Sequence, residues 1–314
     1  MAKRPEKRIV LKILIVRFSA IGDCVMAGHA VSDLRLQYPD AEITWVIEDR
    51  CADIVSSPKL VDRRLALPRS DWRKKGDFRT LFEQYRWLTG LRMYGFDYGF
   101  DMQGHSKTAW CLRLSGAKKR LSIGGTDTIA RRLNPVYAPP NFEKRHSVER
   151  FGDLIHSVFP LYNFHADYLP GEPVARDRKL VTICVGAGHP AKVVPPSTLV
   201  AVGVDLAASG LEVVFVGGSA DSFSAPEGTM NLIGKTSIPE SVDWIRRSAV
   251  HIAGDTGTGH IAAVVGTPLV TIWGNMPLER FRPYTENVTI LNRDGNPANV
   301  VSSELVAAAI GRIG

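Results

Sequence analysis

The 314-residue chain lacks the groupings that bind metal or cross-link a fold. Its four cysteines, Cys24, Cys51, Cys111 and Cys184, are scattered, with no C-x-x-C pair and no histidine cluster at ligand spacing. They read as reduced structural thiols, the ordinary role of this burial-prone side chain. No apolar run approaches the roughly 18 residues that a membrane-crossing helix needs; Ile9–Val16 and Leu211–Val216 are far shorter. The basic start MAKRPEKR precedes only a brief apolar run, better suited to a strand than to a signal peptide. A soluble cytoplasmic protein is expected. Short repeats and low-complexity segments are also missing.

What is present is an alternation of strand-like and helix-like segments. Strands are expected near Val10–Val16, Ile43–Ile47, Tyr98–Asp101 and Leu121–Ile123, with helices near Cys24–Gln37, Phe78–Met93, Lys107–Leu114 and Val148–Val158. The stretch ADYLPGEPVARDRK has neither apolar period and suits a linker. Alternation then resumes, with strands near Val181–Val185, Val213–Val216, Val250–Ala253 and Leu269–Trp273, and helices near Ser197–Ala208, Pro239–Arg247 and Gly259–Val265. This pattern predicts an α/β protein with a first Rossmann-like domain over residues 1–165, a linker over 166–178 and a second such domain over 179–314. A last helix, Ser302–Ile313, could pack back across the first domain. Ligands of doubly wound sheets bind beyond the carboxyl ends of the strands, so the site is expected in the cleft between the domains.

Charge divides unevenly. Residues 1–165 carry 28 Lys+Arg against 18 Asp+Glu, whereas the remainder carries 11 against 14. The first half therefore suits an acidic partner: nucleic acid, an anionic membrane surface or a phosphorylated substrate. No nucleic-acid motif appears, and the cations are not interleaved with aromatics as in a stacking platform.

Several motifs fall at strand ends. VHIAGDTGTGH runs from a strand through a Gly-rich turn into a helix, where free amides and the helix dipole favour an anion. Thr256 and His260 add side-chain donors there. The same stretch reads Gly257-x-Gly259-x-x-Ala262, close to a dinucleotide fingerprint, which keeps an NAD(P)-dependent dehydrogenase open. Gly228-TMNLI-Gly234-Lys235-Thr236 resembles a phosphate-binding loop but has one intervening residue too many. Asp23, in Arg17-Phe-Ser-Ala-Ile-Gly-Asp23, stands near a helix start, where it is either a first-turn carboxylate or a base. Lys192, in VGAGHPAK after the first strand of the second half, offers a mobile charge for a diphosphate, or is simply solvated.

Together, ILIVRFSAIGD, FDMQGHSKTAWCLRLSGAKKR, VGAGHPAK and GDTGTGHIAAVVGTPLVTIWG resemble the ADP-heptose lipopolysaccharide heptosyltransferases, glycosyltransferase family 9. The similarity covers most of the chain, in order. It implies a GT-B fold and inverting, metal-independent transfer from an ADP-sugar, which is a co-substrate; no cofactor is implied, and the sequence has no Asp-x-Asp to hold a metal against a diphosphate. Asp23 matches the family's catalytic carboxylate and Lys192 the lysine that contacts donor phosphate. Asp255, Thr256, Gly257 and His260 fall on the pyrophosphate loop, with Gly186 beside it; Asp221 is a candidate ribose contact. On the acceptor side stand Ser19 and Gly22, the Gln103, Gly104 and Lys107 of a cleft-lining segment, and the basic residues Arg73 and Lys74. The implied acceptor is an anionic lipid A core at the inner face of the inner membrane, where peripheral contact is expected and Trp72 could rest at the lipid interface. Two departures, Lys192-Val-Val-Pro195 for K-x-W-P and Gly274-Asn275-Met276 for G-P-T, adjoin the donor pocket and leave the sugar and base open. The other function class kept open is a non-catalytic nucleotide- or nucleic-acid-binding module.

Overall fold

The computed structural model describes residues 10–125, 127–160, 167–291 and 295–313. The outer bounds of the expected domains and the first residue of the expected linker fall on residues 1–9, 161–166 and 314, outside that set.

The chain forms two parallel sheets. In the first, β1 (Lys12–Val16) pairs with β2 (Glu42–Glu48) and β4 (Tyr98–Asp101), with β3 (Arg63–Leu67) and β5 (Lys119–Ser122) at the edges, in the order β3-β2-β1-β4-β5. The second repeats that order and extends it. β6 (Asp177–Cys184) and β9 (Ser248–Gly254) are central, flanked by β7 (Glu212–Val216), β8 (Met230–Asn231), β10 (Leu269–Ile272) and β11 (Val288–Leu291), in the order β11-β10-β9-β6-β7-β8. Central strands carry continuous apolar runs because both of their faces are covered. Ile13, Leu14, Ile15 and Val16 are all fully buried. In each sheet the strand order reverses between two central neighbours, β1 and β4 or β6 and β9, and a crevice opens at that point.

Helix α1 (Ile21–Gln37) is buried nearly all round, from Cys24 to Leu34. It is enclosed by the first sheet, by α6 (Ser147–His156) and by α9 (Gly257–Val264) of the second domain. One apolar cluster therefore runs without a break from Ile13 and Val25 of the first domain to Ile261 and Ala262 of the second.

The expected linker is not loose. Tyr168 and Leu169 are buried, the Tyr168 hydroxyl donates to the Val25 carbonyl at 2.5 Å, and Arg246 donates to Asp167 at 3.0 Å and to the Pro170 carbonyl at 2.8 Å. Composition marked the segment as irregular. It did not show Tyr168 bonded to α1, nor Asp167 and Pro170 held by Arg246 of α8 (Ile238–Arg247).

The terminal helix α11 (Ser302–Ile313) does not cross back to the first domain. Leu305 and Ala309, one turn apart, face the cluster that contains Val202, Leu206 and Val270 of the second domain. β11 delivers the chain to that face, and α7 (Pro196–Ala208) offers the matching apolar groove. Residues 190–208 are long and apolar enough for a membrane span by composition. Their α-helical part, however, begins only at Pro196, after a separate 3-10 turn over Pro190–Lys192, and lays Leu199, Val202 and Leu206 on the second sheet.

Candidate functional site

The two strand-order reversals face each other. From the first domain come Ala20, Ile21 and Gly22 after β1 and Arg50 and Cys51 after β2; Ser19, Gln103 and Gly104, expected here, are not in the cleft lining. From the second come the loops after β6 and β9. Between them lies a cleft of about 370 Å³, lined by Gly22 and Cys51 on one side and by Gly186, Asp221, Thr256 and Gly257 on the other. Ser241 and Thr258, which the sequence did not single out, also line it, as does Thr236, the last residue of the segment whose spacing is one residue too long for a phosphate-binding loop. The domains meet tightly here. A side chain at Gly22 would stand 2.7 Å from the His260 ring and 3.3 Å from the Gly257 Cα, so only glycine fits.

Asp23 occupies the third position of α1, and its carboxylate is one-third exposed. Its Oδ2 accepts from the Ala20 amide at 3.2 Å and pairs with Arg17 Nη2 at 2.8 Å. Both contacts fall on that one oxygen, and among the described residues Oδ1 makes no hydrogen bond. The helix-start role and a role as base are thus compatible, one for each oxygen. Arg17 is itself buried, donates to the Met102 carbonyl and lies 5.4 Å from the centre of the Phe151 ring. Sequence reasoning assigned Arg17 no part. Its place directly after β1, at the carboxyl end where ligands bind, was the available signal.

In the second domain, Lys192 Nζ pairs with buried Asp255 at 2.5 Å, beside the start of α9. The Thr256 and Thr258 hydroxyls lie 3.0 Å apart in the first turn, and the Thr256 hydroxyl is 3.9 Å from Cys184 Sγ. Asp221 Oδ2 accepts from the Gly218 amide at 2.7 Å. Any side chain at Gly186 would collide with that carboxylate, at 2.2 Å. The structure thus places Gly186, Asp221, Thr256 and Gly257 in one wall of the cleft; Asp255, His260 and Lys192 stand close to the start of α9 but are not in that lining. All four cysteines are free and buried, and two of them, Cys51 and Cys184, line the cleft walls.

Burial pushes the His260 imidazole down to about 4, although Asp23 and Asp255 pull it upward. Burial likewise lowers His251, in the core of β9, to about 3. Both rings are neutral at pH 7, so the folded chain excludes protons that the unfolded chain binds below about pH 6.5. Stability is accordingly expected to be full above that pH and to decline as pH falls toward 4, by up to about 1.4 kcal/mol per pH unit per histidine. Urea titrations at about pH 7 and about pH 5 check this. His260→Asn should flatten the decline, and an unchanged slope would assign it to other groups.

On the acceptor side the loops are held by polar ties. The Phe18 amide donates to Gln103 Oε1 at 2.9 Å, and the amides of Gln103 and Gly104 donate to buried Asp101 at 2.9 and 3.0 Å. Gly104 has φ +72° and faces the Gly125 amide so closely that a side chain would lie 2.7 Å from it. Ser19 donates to buried Glu48, which also binds Arg69 and Arg50. A second cavity, of about 530 Å³, begins at Phe18 and runs under α3 (Phe78–Gly90) beside α2 (Arg69–Lys75) and α4 (Ser106–Leu114). Arg69, Arg73 and Lys107 line it, with Tyr85 and Trp110 among its apolar walls. Partial burial lowers the Lys107 ammonium, as do the charges of Arg69 and Arg73, so three cations crowd one wall. Lys74 is exposed but is not in that wall. Trp72, expected at a lipid interface, is only 8% exposed and packs edge-to-face on Trp87 with ring centres 6.4 Å apart. It is buried in the apolar cluster with Leu67, Leu91 and Phe96 and forms part of the cavity wall.

Among the described residues no three His, Cys, Asp or Glu side chains are grouped to hold a metal ion.

Residues 85–306 match the family model described as glycosyltransferase family 9 (heptosyltransferase). The lipopolysaccharide heptosyltransferase 1 of Pseudomonas aeruginosa is 25% identical over 84% of this chain and 79% of its own length. The lipooligosaccharide heptosyltransferase 2 of Haemophilus influenzae is 24% identical over 90% and 88%. Among solved structures, the E. coli heptosyltransferase WaaC with ADP aligns with a TM-score of 0.80 at 18% identity, covering 96% of this chain and 100% of that one. E. coli ADP-heptose heptosyltransferase II aligns with 0.77, also at 18%, over 96% and 98%. Identity this low speaks for the architecture, which is GT-B: two Rossmann-like domains facing across a cleft.

Proposed function

The chain belongs to glycosyltransferase family 9 and is a glycosyltransferase, and from that premise we propose that it moves a heptose from ADP-heptose to an anionic lipopolysaccharide core acceptor, with inversion and without a metal ion. The Gly257-x-Gly259-x-x-Ala262 spacing is then the anion-binding start of α9 and not a dehydrogenase fingerprint. The observation that carries the mechanism is Asp23, next in the chain to Gly22 of the cleft wall, whose Oδ2 is held by Arg17 and the Ala20 amide while Oδ1 makes no hydrogen bond among the described residues.

In this reading Asp23 Oδ1 takes the proton of the acceptor hydroxyl. The acceptor oxygen bonds to the anomeric carbon, the bond from that carbon to the phosphate oxygen breaks, and the electron pair leaves with ADP. One in-line displacement inverts the centre. Negative charge growing on the diphosphate meets Lys192, the Thr256 and Thr258 hydroxyls and the amides that open α9, donors already in place before reaction. These groups supply the positive potential for which a metal serves elsewhere. The Asp221 carboxylate suits a ribose diol. The cationic wall of Arg69, Arg73 and Lys107 suits acceptor phosphate or carboxylate, met on the cytoplasmic side of the membrane.

The test is transfer from ADP-heptose to a deacylated, Kdo-bearing acceptor in excess chelator, with the anomeric configuration of the product read by NMR. Transfer with an inverted linkage is expected. Dependence on added divalent ion, or a retained configuration, would overturn the mechanism.

A further inference from the structure

Helix α3 is amphipathic but sits the wrong way round for a soluble domain. Phe78, Leu81, Phe82 and Tyr85 repeat at the spacing of a single helix face, and they are 79, 67, 63 and 54% exposed. Inward the helix buries only Thr80 and half-buries Gln84, Trp87, Leu88 and Thr89. A helix normally turns such a stripe toward a core, and a contiguous exposed one marks a contact surface. The surroundings indicate the partner. Residues 69–90 carry six cations against three carboxylates. Lys75 pairs with Glu83 at 3.1 Å and Arg69 with Glu48. Arg73, Lys74, Arg79 and Arg86 have no carboxylate partner among the described residues, and the Arg86 guanidinium lies 5.9 Å from the centre of the Phe82 ring. An aromatic-rich apolar stripe rimmed by unpaired cations is the pattern of a helix lying in the headgroup region of an anionic bilayer.

We propose that α3, with the cationic end of α2, is a monotopic docking surface for anionic lipid bilayers, which Phe78 and Phe82 enter. Leu81 and Tyr85 belong both to the stripe and to the wall of the Phe18 cavity, so docking brings the mouth of that cavity to the lipid surface. The inference rests on the proposed lipid-borne acceptor for its purpose, but its test does not depend on turnover.

The experiment is co-sedimentation of the full chain with vesicles of phosphatidylglycerol and phosphatidylethanolamine, against vesicles of phosphatidylcholine alone. Wild type should bind the anionic vesicles at least tenfold more tightly than the neutral ones, and more weakly at high salt. Phe78→Glu/Phe82→Glu should lose at least tenfold in that binding. Neither side chain lines the cleft or the Phe18 cavity, so the double variant should keep its melting temperature and its rate on the water-soluble deacylated acceptor. Three results would overturn the proposal: no binding by wild type, undiminished binding by the double variant, or self-association through the stripe, seen by sedimentation velocity, in place of vesicle binding. Failure of transfer in solution by wild type would instead sink the proposed function and leave the vesicle result standing.

Discussion

Asp23→Asn is expected to lower kcat by about 10²- to 10⁴-fold, the range that a positioned general base contributes. Its donor affinity should be nearly unchanged. The substitution is nearly isosteric, and the amide oxygen can still accept from the Ala20 amide and from Arg17, which now faces a neutral partner. The stability loss should therefore stay within about 1–3 kcal/mol, that of weakening a hydrogen bond to a charged group. Steady-state kinetics, equilibrium titration with ADP and thermal denaturation separate these effects. If turnover survived in a folded variant, the proton would have to leave by another route.

Lys192→Ala should reduce turnover by about 10²- to 10³-fold, as does removal of one donor from a preorganised anion site, and should weaken donor binding as well. It has a second effect, because the lysine also neutralises buried Asp255. Removing one member of such a pair leaves the other charge stranded, at about 3–5 kcal/mol when both are fully buried. With Lys192 about a quarter exposed the cost should fall below that range. The double variant Lys192→Ala/Asp255→Asn should regain stability without regaining turnover. Recovery of both would mean that the lysine serves the fold alone.

The sequence was most legible where strands are central and helices have a plain apolar period. Tyr98–Asp101 and Ser302–Ile313 have the expected bounds, and the other central strands lie within a few residues of theirs. Of the edge strands β5 was expected, two residues late, whereas β3 and β11 escaped. β3 is RRLAL, with its two arginines and Ala66 exposed, and β11 is half-buried throughout, so neither shows a core-strand pattern. The candidate site was legible as separate loops because their Gly, Asp, Lys and Thr residues stand at strand ends. Its supporting network was not. Glu48 reaches the loop after β1 only because β2 lies beside β1 in parallel register, and Arg69 reaches Glu48 only from beyond β3. Such neighbours are fixed by strand order, which no local pattern encodes. The same holds for α3: its period was visible, but the side on which it would be covered was not.

The unbroken apolar cluster through α1 and α9 constrains how this architecture can be recombined. A chimera that kept this first domain and took its second from a relative with another donor would split that cluster along the line where Gly22 admits the His260 ring. Donor preference and the packing of α1 are thus inherited together, and a workable graft must carry α1, its loop and the clamped segment around Tyr168 along with the second domain.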